Sequence, residues 1–278
     1  MNQANSNPKI FAHRGSAVLA PENTRAAFDL AIAHQADILE TDIRSSRDKI
    51  PVIHHDAKLD RTTNGEGFVS NYSLTELKQL DAAYHFKDLS GESKRGQGIE
   101  VLTLAELLEE YRGIPINLEI KHPVADFTKT VVDVIRKSDR ISDVTVASFH
   151  DEVLTTLRKQ APDIRTAATG DEIMDLYTSR NRAGRWLNWL HERVFNPADL
   201  SNNHFRNYQT LQVPVRFKLG PFTLDLTSAD FINLVHAKDL SITYWTINNA
   251  EQMVRLANLG ADGLVTDRVD IAEKIFKT

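Results

Sequence analysis

Apolar positions in this chain recur with two periods, and the alternation between those periods sets out the fold. Short β-rich apolar runs stand near residues 10, 39, 117, 146, 166, 211, 244 and 265. Between them lie segments with apolar residues at helical spacing: 25–34, 103–111, 127–137, 151–160, 231–238 and 250–259. Eight strands alternating with helices predict an α/β fold, a closed TIM (β/α)8 barrel, over an open doubly wound sheet. No glycine-rich dinucleotide fingerprint follows the first strand, which also disfavours a Rossmann arrangement. Ile10–Ala12, the helix from Arg25 and Ile38–Ile43 form the first βαβ unit. It brings His13 and Glu40 to strand C-terminal ends on one rim.

Two stretches depart from the regular alternation. Asp37–Arg44 and Ile50–His54 are strands separated by Ser45-Ser46-Arg47-Asp48-Lys49, a turn too short for anything but an antiparallel return. Residues 58–98 are rich in turn chemistry and contain one short helix, Ser73–Leu80, with Ser73 and Glu76 spaced as a capping box. We read 58–98 as a lid-like insertion over one rim, too poor in apolar residues for its own core. The second departure is 171–207, longer than one crossover helix needs. It carries Trp186, Leu187, Trp189, Leu190 and Val194 behind Arg180, Arg182 and Arg185. Such a helix suits a barrel flank, and its basic Trp-bearing face also suits a membrane surface. Tyr208–Val215 is the expected sixth strand, with Gln212 at its rim; Pro197–Asn202 competes for that place. The expected organisation is a single barrel domain over 1–278.

Composition narrows the chemistry. A chain of 278 residues, 41% hydrophobic, can bury one sizeable core. A formal charge of -5 and a pI near 6.1 argue against nucleic acid as a partner. There are no cysteines, so thiolate nucleophiles, thiolate metal sites and disulfides are excluded. Met1–Lys9 lacks the apolar core of a signal peptide, and no run approaches the roughly 18 apolar residues of a membrane span. These features predict a soluble, cytoplasmic protein without an integral membrane segment. Oligomeric state leaves no mark in the sequence.

The candidate chemistry sits at the strand ends. Glu40 and Asp42 are two apart on a strand and face one side, and the hairpin returns His54, His55 and Asp56 beside them. Glu119 and Lys121 repeat that spacing at the end of the strand near 117. Three carboxylates would gather hard oxygen ligands for a divalent cation, and a neighbouring lysine suits an anionic substrate. Alternating charges also suit a solvated strand face, and a His-Arg pair after a strand suits an ordinary loop.

The ordered set of motifs reaches further. His13-Arg14-Gly15, Pro21-Glu22-Asn23-Thr24, Glu40-x-Asp42, His55-Asp56, Leu59-Asp60-Arg61-Thr62-Thr63, Glu119-Ile120-Lys121, Trp245-Thr246-Ile247-Asn248 and Gly263-Leu264-Val265-Thr266-Asp267 resemble the glycerophosphodiester phosphodiesterases, in that family's order and almost from end to end. The resemblance implies a TIM barrel of the phospholipase-C-like phosphodiesterase type, serving glycerol and lipid metabolism. It implies hydrolysis of a small-molecule glycerophosphodiester to glycerol 3-phosphate and an alcohol. On matching positions it implies His13 and His55 as the general acid/base pair, and Glu40, Asp42 and Glu119 as ligands of one Mg²⁺ or Ca²⁺. Arg14 and Lys121 would hold the phosphate, while Trp245 and Gln212 are further candidates for substrate contact. His54, Lys49 and Val269 depart from the pattern, where an apolar residue, glycine and proline are usual. Attack by water and attack through a cyclic phosphate both remain open. So do a lysophospholipase D-like hydrolase acting on single-chain phospholipids and a non-catalytic phosphate-ester binding protein.

Overall fold

A computed structural model describes residues 7–179, 208–219 and 222–277. The expected Trp-bearing helix near 186–194 and the competing strand Pro197–Asn202 lie outside the described residues. In chain order the elements are β1 (Lys9–Ala12), α1 (Arg25–Ala33), β2 (Ile38–Ser45), β3 (Pro51–Ile53), α2 (Leu74–Leu77), α3 (Leu104–Glu110), β4 (Ile116–Ile120), α4 (Ala125–Lys137), β5 (Val144–Ala147), α5 (Asp151–Gln160), β6 (Arg165–Thr166), α6 (Gly170–Thr178), β7 (Thr210–Pro214), β8 (Arg216–Leu219), β9 (Phe222–Asp225), α7 (Ala229–His236), β10 (Ser241–Trp245), α8 (Ala250–Asn258), β11 (Gly263–Thr266) and α9 (Val269–Phe276).

Eight of the strands are parallel neighbours in the order β6-β5-β4-β2-β1-β11-β10-β7. The two ends of that row meet: the Ala168 N–H donates to the Thr210 carbonyl at 2.8 Å, and the Gln209 N–H to that of Thr166 at 3.1 Å. The architecture is a (β/α)8 barrel, and its eight staves coincide with the eight apolar runs of the sequence. Only β3 pairs antiparallel in this sheet, against β2, as the short turn requires. Lys49 in that turn has φ 66°, the left-handed region that explains a preference for glycine there. Val269 is the first helical residue of α9, a position that proline also suits.

Along β2 and β4, alternation sends polar residues to the inside of the barrel and apolar ones to the outside. In β4, Ile116, Leu118 and Ile120 join the core cluster shared with the surrounding helices, while Asn117 and Glu119 line the interior pocket. In β2, Leu39 and Ile43 enter the same cluster and Glu40 and Asp42 point inward. The helices are pinned by their first residues: Thr24, Thr103 and Thr169 each accept the backbone N–H three residues on. Gly263 has no room for a side chain, because a Cβ there would stand 2.6 Å from the Phe11 ring and from the Thr243 hydroxyl.

Residues 58–98 fold beside β3 with more apolar support than their composition suggests. Leu59, Val69, Leu77 and Ala82 are buried together with Val52 and Val101 as a small second cluster. The capping box at Ser73 and Glu76 is present. The antiparallel β8–β9 hairpin has no counterpart in the expected pattern. Among the described residues no helix is long and apolar enough to cross a membrane.

Candidate active site

Three features of the chain deliver the site's polar groups to the barrel's C-terminal mouth. First, β1 ends in a tight turn, His13–Gly15, in which Arg14 (φ 51°), Gly15 (φ 77°) and Ser16 (φ 86°) are all left-handed. Gly15 is doubly constrained, since a Cβ would lie 2.7 Å from that of Ala27 on α1. The turn lets the Arg14 N–H donate to Glu40 Oε2 at 3.0 Å. Second, the parallel register of β2 and β4 sets Asp42 beside Glu119 and Glu40 beside Asn117. Third, the antiparallel return of β3 brings His55 to the same mouth. His55 lines the pocket; His54 is buried, with its ring nitrogen Nε2 3.1 Å from the Lys58 carbonyl.

Glu40 and Asp42 are 5% and 1% exposed, so the solvated-face reading of their spacing does not hold. Each of Glu40, Asp42 and Glu119 offers an oxygen, and these atoms all lie within 4.8 Å of one another. Lys121 Nζ stands 2.6 Å from Glu119 Oε1 and 3.3 Å from Asp42 Oδ1, and Arg14 Nε is 3.3 Å from Asp42 Oδ2. The Asn23 amide donates to Asp42 Oδ2 at 3.1 Å. Burial pushes the Glu40 carboxyl up, and the Asp42 charge adds to this. Burial likewise raises Glu119 beyond what Lys121 offsets. For Asp42 the order reverses: burial opposes ionisation, but Lys121, Arg14, His55 and Asn23 together hold it below the usual carboxylate range. Two buried carboxylates and a half-buried third, against Arg14 and Lys121, leave a deficit of positive charge. A hard divalent cation fits this oxygen donor set.

Each pocket histidine is held by its own aspartate. His13 Nδ1 is 2.6 Å from Asp267 Oδ1, and His55 Nδ1 is 2.6 Å from Asp56 Oδ1. Their environments differ. Burial disfavours the charged form of both, yet Asp267 and Glu40 bring His13 above the ordinary histidine value, whereas His55 stays below it. Asp267 also accepts from the Asn248 amide at 2.8 Å, and Asn248 Oδ1 accepts the Asp267 backbone N–H at 2.8 Å.

Behind the two sides runs an ionic chain. Arg61 donates from Nε to Asp56 Oδ2 at 2.5 Å, and from Nη1 and Nη2 to the two oxygens of Glu22 at 2.7 and 2.6 Å. Glu22 Oε1 accepts in turn from Arg14 at 3.0 Å. One guanidinium thus steadies His55 through Asp56 and Arg14 through Glu22. The quoted motifs contain Glu22, Asn23, Arg61, Asn248 and Asp267, but most of their partners are distant in sequence and local pattern gave them no role. Trp245 lines the cavity, edge-on to Phe149 with ring centroids 5.7 Å apart. Gln212 also lines it, but its amide is spent on a reciprocal pair with Asn117 at 2.6 and 3.3 Å.

Fold and site define a class: a (β/α)8 barrel whose mouth joins a cluster of three carboxylates to two histidines, an arginine and a lysine. Comparison with known proteins places the chain within it. A model of the glycerophosphoryl diester phosphodiesterase family matches residues 13–271. A glycerophosphodiester phosphodiesterase of Bacillus altitudinis is 30% identical over 273 residues, covering 96% of this chain and 97% of the relative. The crystal structure of a glycerophosphodiester phosphodiesterase from Agrobacterium tumefaciens is similar at TM-score 0.71 and 26% identity, covering 96% of this chain and 99% of that one. An Oleispira antarctica phosphodiesterase, solved with the product sn-glycerol-3-phosphate, is similar at TM-score 0.70 and 25% identity, with 97% of each chain covered. The chain belongs to the glycerophosphoryl diester phosphodiesterase family and is a phosphoric diester hydrolase.

Proposed function

We propose that this protein hydrolyses glycerophosphodiesters to glycerol 3-phosphate and an alcohol, using His13 and His55 as its acid/base pair and one divalent cation, Mg²⁺ or Ca²⁺. The observation that carries this reading is the pair of aspartate-held histidines at the same mouth as three clustered carboxylates. Glu40, Asp42 and Glu119 would hold the cation, which supplies a Lewis acid against the charge of the phosphate. Arg14 and Lys121 hold the phosphate's non-bridging oxygens, Arg14 by its fork and Lys121 as a point charge.

The aspartate at each Nδ1 favours a proton on that nitrogen and leaves Nε2 for the substrate. A neutral ring then accepts a proton at Nε2 from the attacking oxygen, and a protonated ring gives one to the departing alcohol. The two roles require both rings at one mouth, as the turn after β1 and the return of β3 bring them. Asp267 and Asp56 orient the rings and stabilise their charged forms.

Turnover of glycerophosphocholine and glycerophosphoethanolamine, measured with each metal after chelation, tests the reading. His13→Ala and His55→Ala should each lower kcat about a hundred- to ten-thousandfold while the protein stays folded. Near-normal turnover in either variant would remove that residue from the mechanism. Hydrolysis that survives chelation would remove the cation.

A further inference from the structure

The barrel mouth is divided in two by strand order. Glu40, Asp42, Glu119, Lys121 and the two histidines come from β1, β2, β3, β4 and the loops that follow them. The facing arc, β5-β6-β7-β10 with α6 and β8, is apolar: Phe149, Ile173, Met174, Phe217, Leu226 and Trp245 line the same cavity of about 320 Å³. Among the described residues its polar side chains carry no charge, and two of them are engaged. Ser148 donates to the Ile120 carbonyl at 2.8 Å and accepts the His150 N–H at 3.1 Å, and Gln212 is paired with Asn117. The cavity's only carboxylates among the described residues are Glu40 and Glu119, on the opposite arc.

We propose that the alcohol released at this site is apolar: the preferred substrate is a glycerophosphodiester whose leaving alcohol carries a hydrocarbon chain, in place of a cationic or polyhydroxylated head group. This rests on the phosphodiesterase reading above and names the substrate class of that site. The two ester arms of a bound phosphodiester diverge from the phosphate held by Arg14 and Lys121. The glycerol arm, with two free hydroxyls, belongs with the carboxylates and the cation. The other arm meets the apolar arc, which begins at the phosphate itself: Lys121 Nζ is 5.2 Å from the Phe149 ring centroid. A cationic head group would find no carboxylate there among the described residues, and a polyol would lose its hydration to few open partners. A hydrocarbon chain loses nothing and gains contact with six large apolar side chains. The cavity opens beside Phe149 and Phe217, which are 67% and 41% exposed and give a longer chain an apolar way out.

The test is a homologous series, glycerophospho-n-alkanols from methanol to octanol, with glycerophosphocholine, glycerophosphoethanolamine and 1-acyl lysophosphatidylcholine alongside. We expect kcat/KM to rise about two- to fourfold per methylene until the arc is covered. Replacing Phe149 or Phe217 with serine should flatten that slope. A slope near zero, with the cationic head groups hydrolysed best, would overturn the inference while leaving the phosphodiesterase reading intact. Lysophosphatidylcholine turned over faster than glycerophosphocholine, with a flat alkanol series, would place the chain on the glycerol arm and also overturn it. Failure to hydrolyse any member would instead defeat the reading on which the inference rests.

Discussion

Arg61 lies outside the cavity yet is tied to two of the side chains that hold its lining residues. Its guanidinium binds both oxygens of Glu22 and one of Asp56, and is about half exposed. A surface ion pair of that exposure contributes little to stability, because water screens it and two long side chains must be ordered. Its contribution lies in position: without it, Asp56 and Glu22 lose the group that fixes His55 and Arg14 together. Arg61→Ala should therefore lower kcat by roughly ten- to a hundredfold, the usual effect of losing a partner one step from a metal or reacting group, with little change in thermal midpoint. Added guanidinium should restore part of the lost kcat, and Arg61→Lys should restore less than the native fork does. A variant that unfolds several degrees earlier yet turns over normally would show that Arg61 only fastens the insertion to the barrel. The residue stands in the motif Leu59-Asp60-Arg61-Thr62-Thr63, but nothing local marks its task. Its partner Glu22 is 39 residues away, as His13 is 254 from Asp267. A spacing rule can place Glu40 beside Asp42, because the strand itself fixes their relation. It cannot place two side chains that meet only when the barrel closes.

At the scale of elements, the legible parts were those whose period comes from their own backbone. The eight staves and most of the helices could be read because each buries one stripe or face, and that requirement writes a period into the sequence. Helix starts were legible where a cap exists: Ser73 with Glu76 and Thr103 with Glu106 are both closed boxes. Thr103 is the useful case for energetics, since it is buried, accepts from the Glu106 N–H and donates to the Glu106 carboxylate. Thr103→Ala should cost about 1 kcal/mol of unfolding free energy, read from urea denaturation, with kcat unchanged, because α3 lies on the barrel's outer layer. A cost indistinguishable from zero would mean that water caps the helix equally well. Helix α9 was not among the expected helices, and two further features were not legible. The β8–β9 hairpin follows β7 after a single residue, so its apolar positions merge with those of the preceding strand. The insertion's small core draws Val52 and Val101 from either side of it and only isolated residues from within, leaving no periodic stripe. Both matter to the site, as β8 carries Phe217 into the pocket and the insertion carries Arg61 to Glu22 and Asp56.

For the molecule as a whole, the decisive balance is electrostatic. Glu40, Asp42 and Glu119 bring three negative charges into a buried site, and Arg14 and Lys121 return two positive ones. A dication takes the sum from minus one to plus one, and a phosphodiester anion then brings it to zero. Neither ligand alone neutralises the site, so each should tighten the other, and by linkage the two effects must be equal. The same balance predicts a stability response that needs no turnover to observe. A cation that binds the folded chain and not the unfolded one adds about 2.7 kcal/mol at a hundred times its Kd. For a chain of this length that raises the thermal midpoint by several degrees. Chelated protein titrated with MgCl₂ or CaCl₂ should show a saturable rise with at least one of them. Glu119→Gln should weaken that response, because it removes a charged ligand without changing the shape of the site. Glycerol 3-phosphate should raise the midpoint more with the cation present than without. A rise of equal size in Glu119→Gln would place the bound cation elsewhere on the molecule. No rise with either metal would mean that Arg14 and Lys121 already balance the cluster, as they would with one of its three carboxyls protonated under the burial that pushes Glu40 upward.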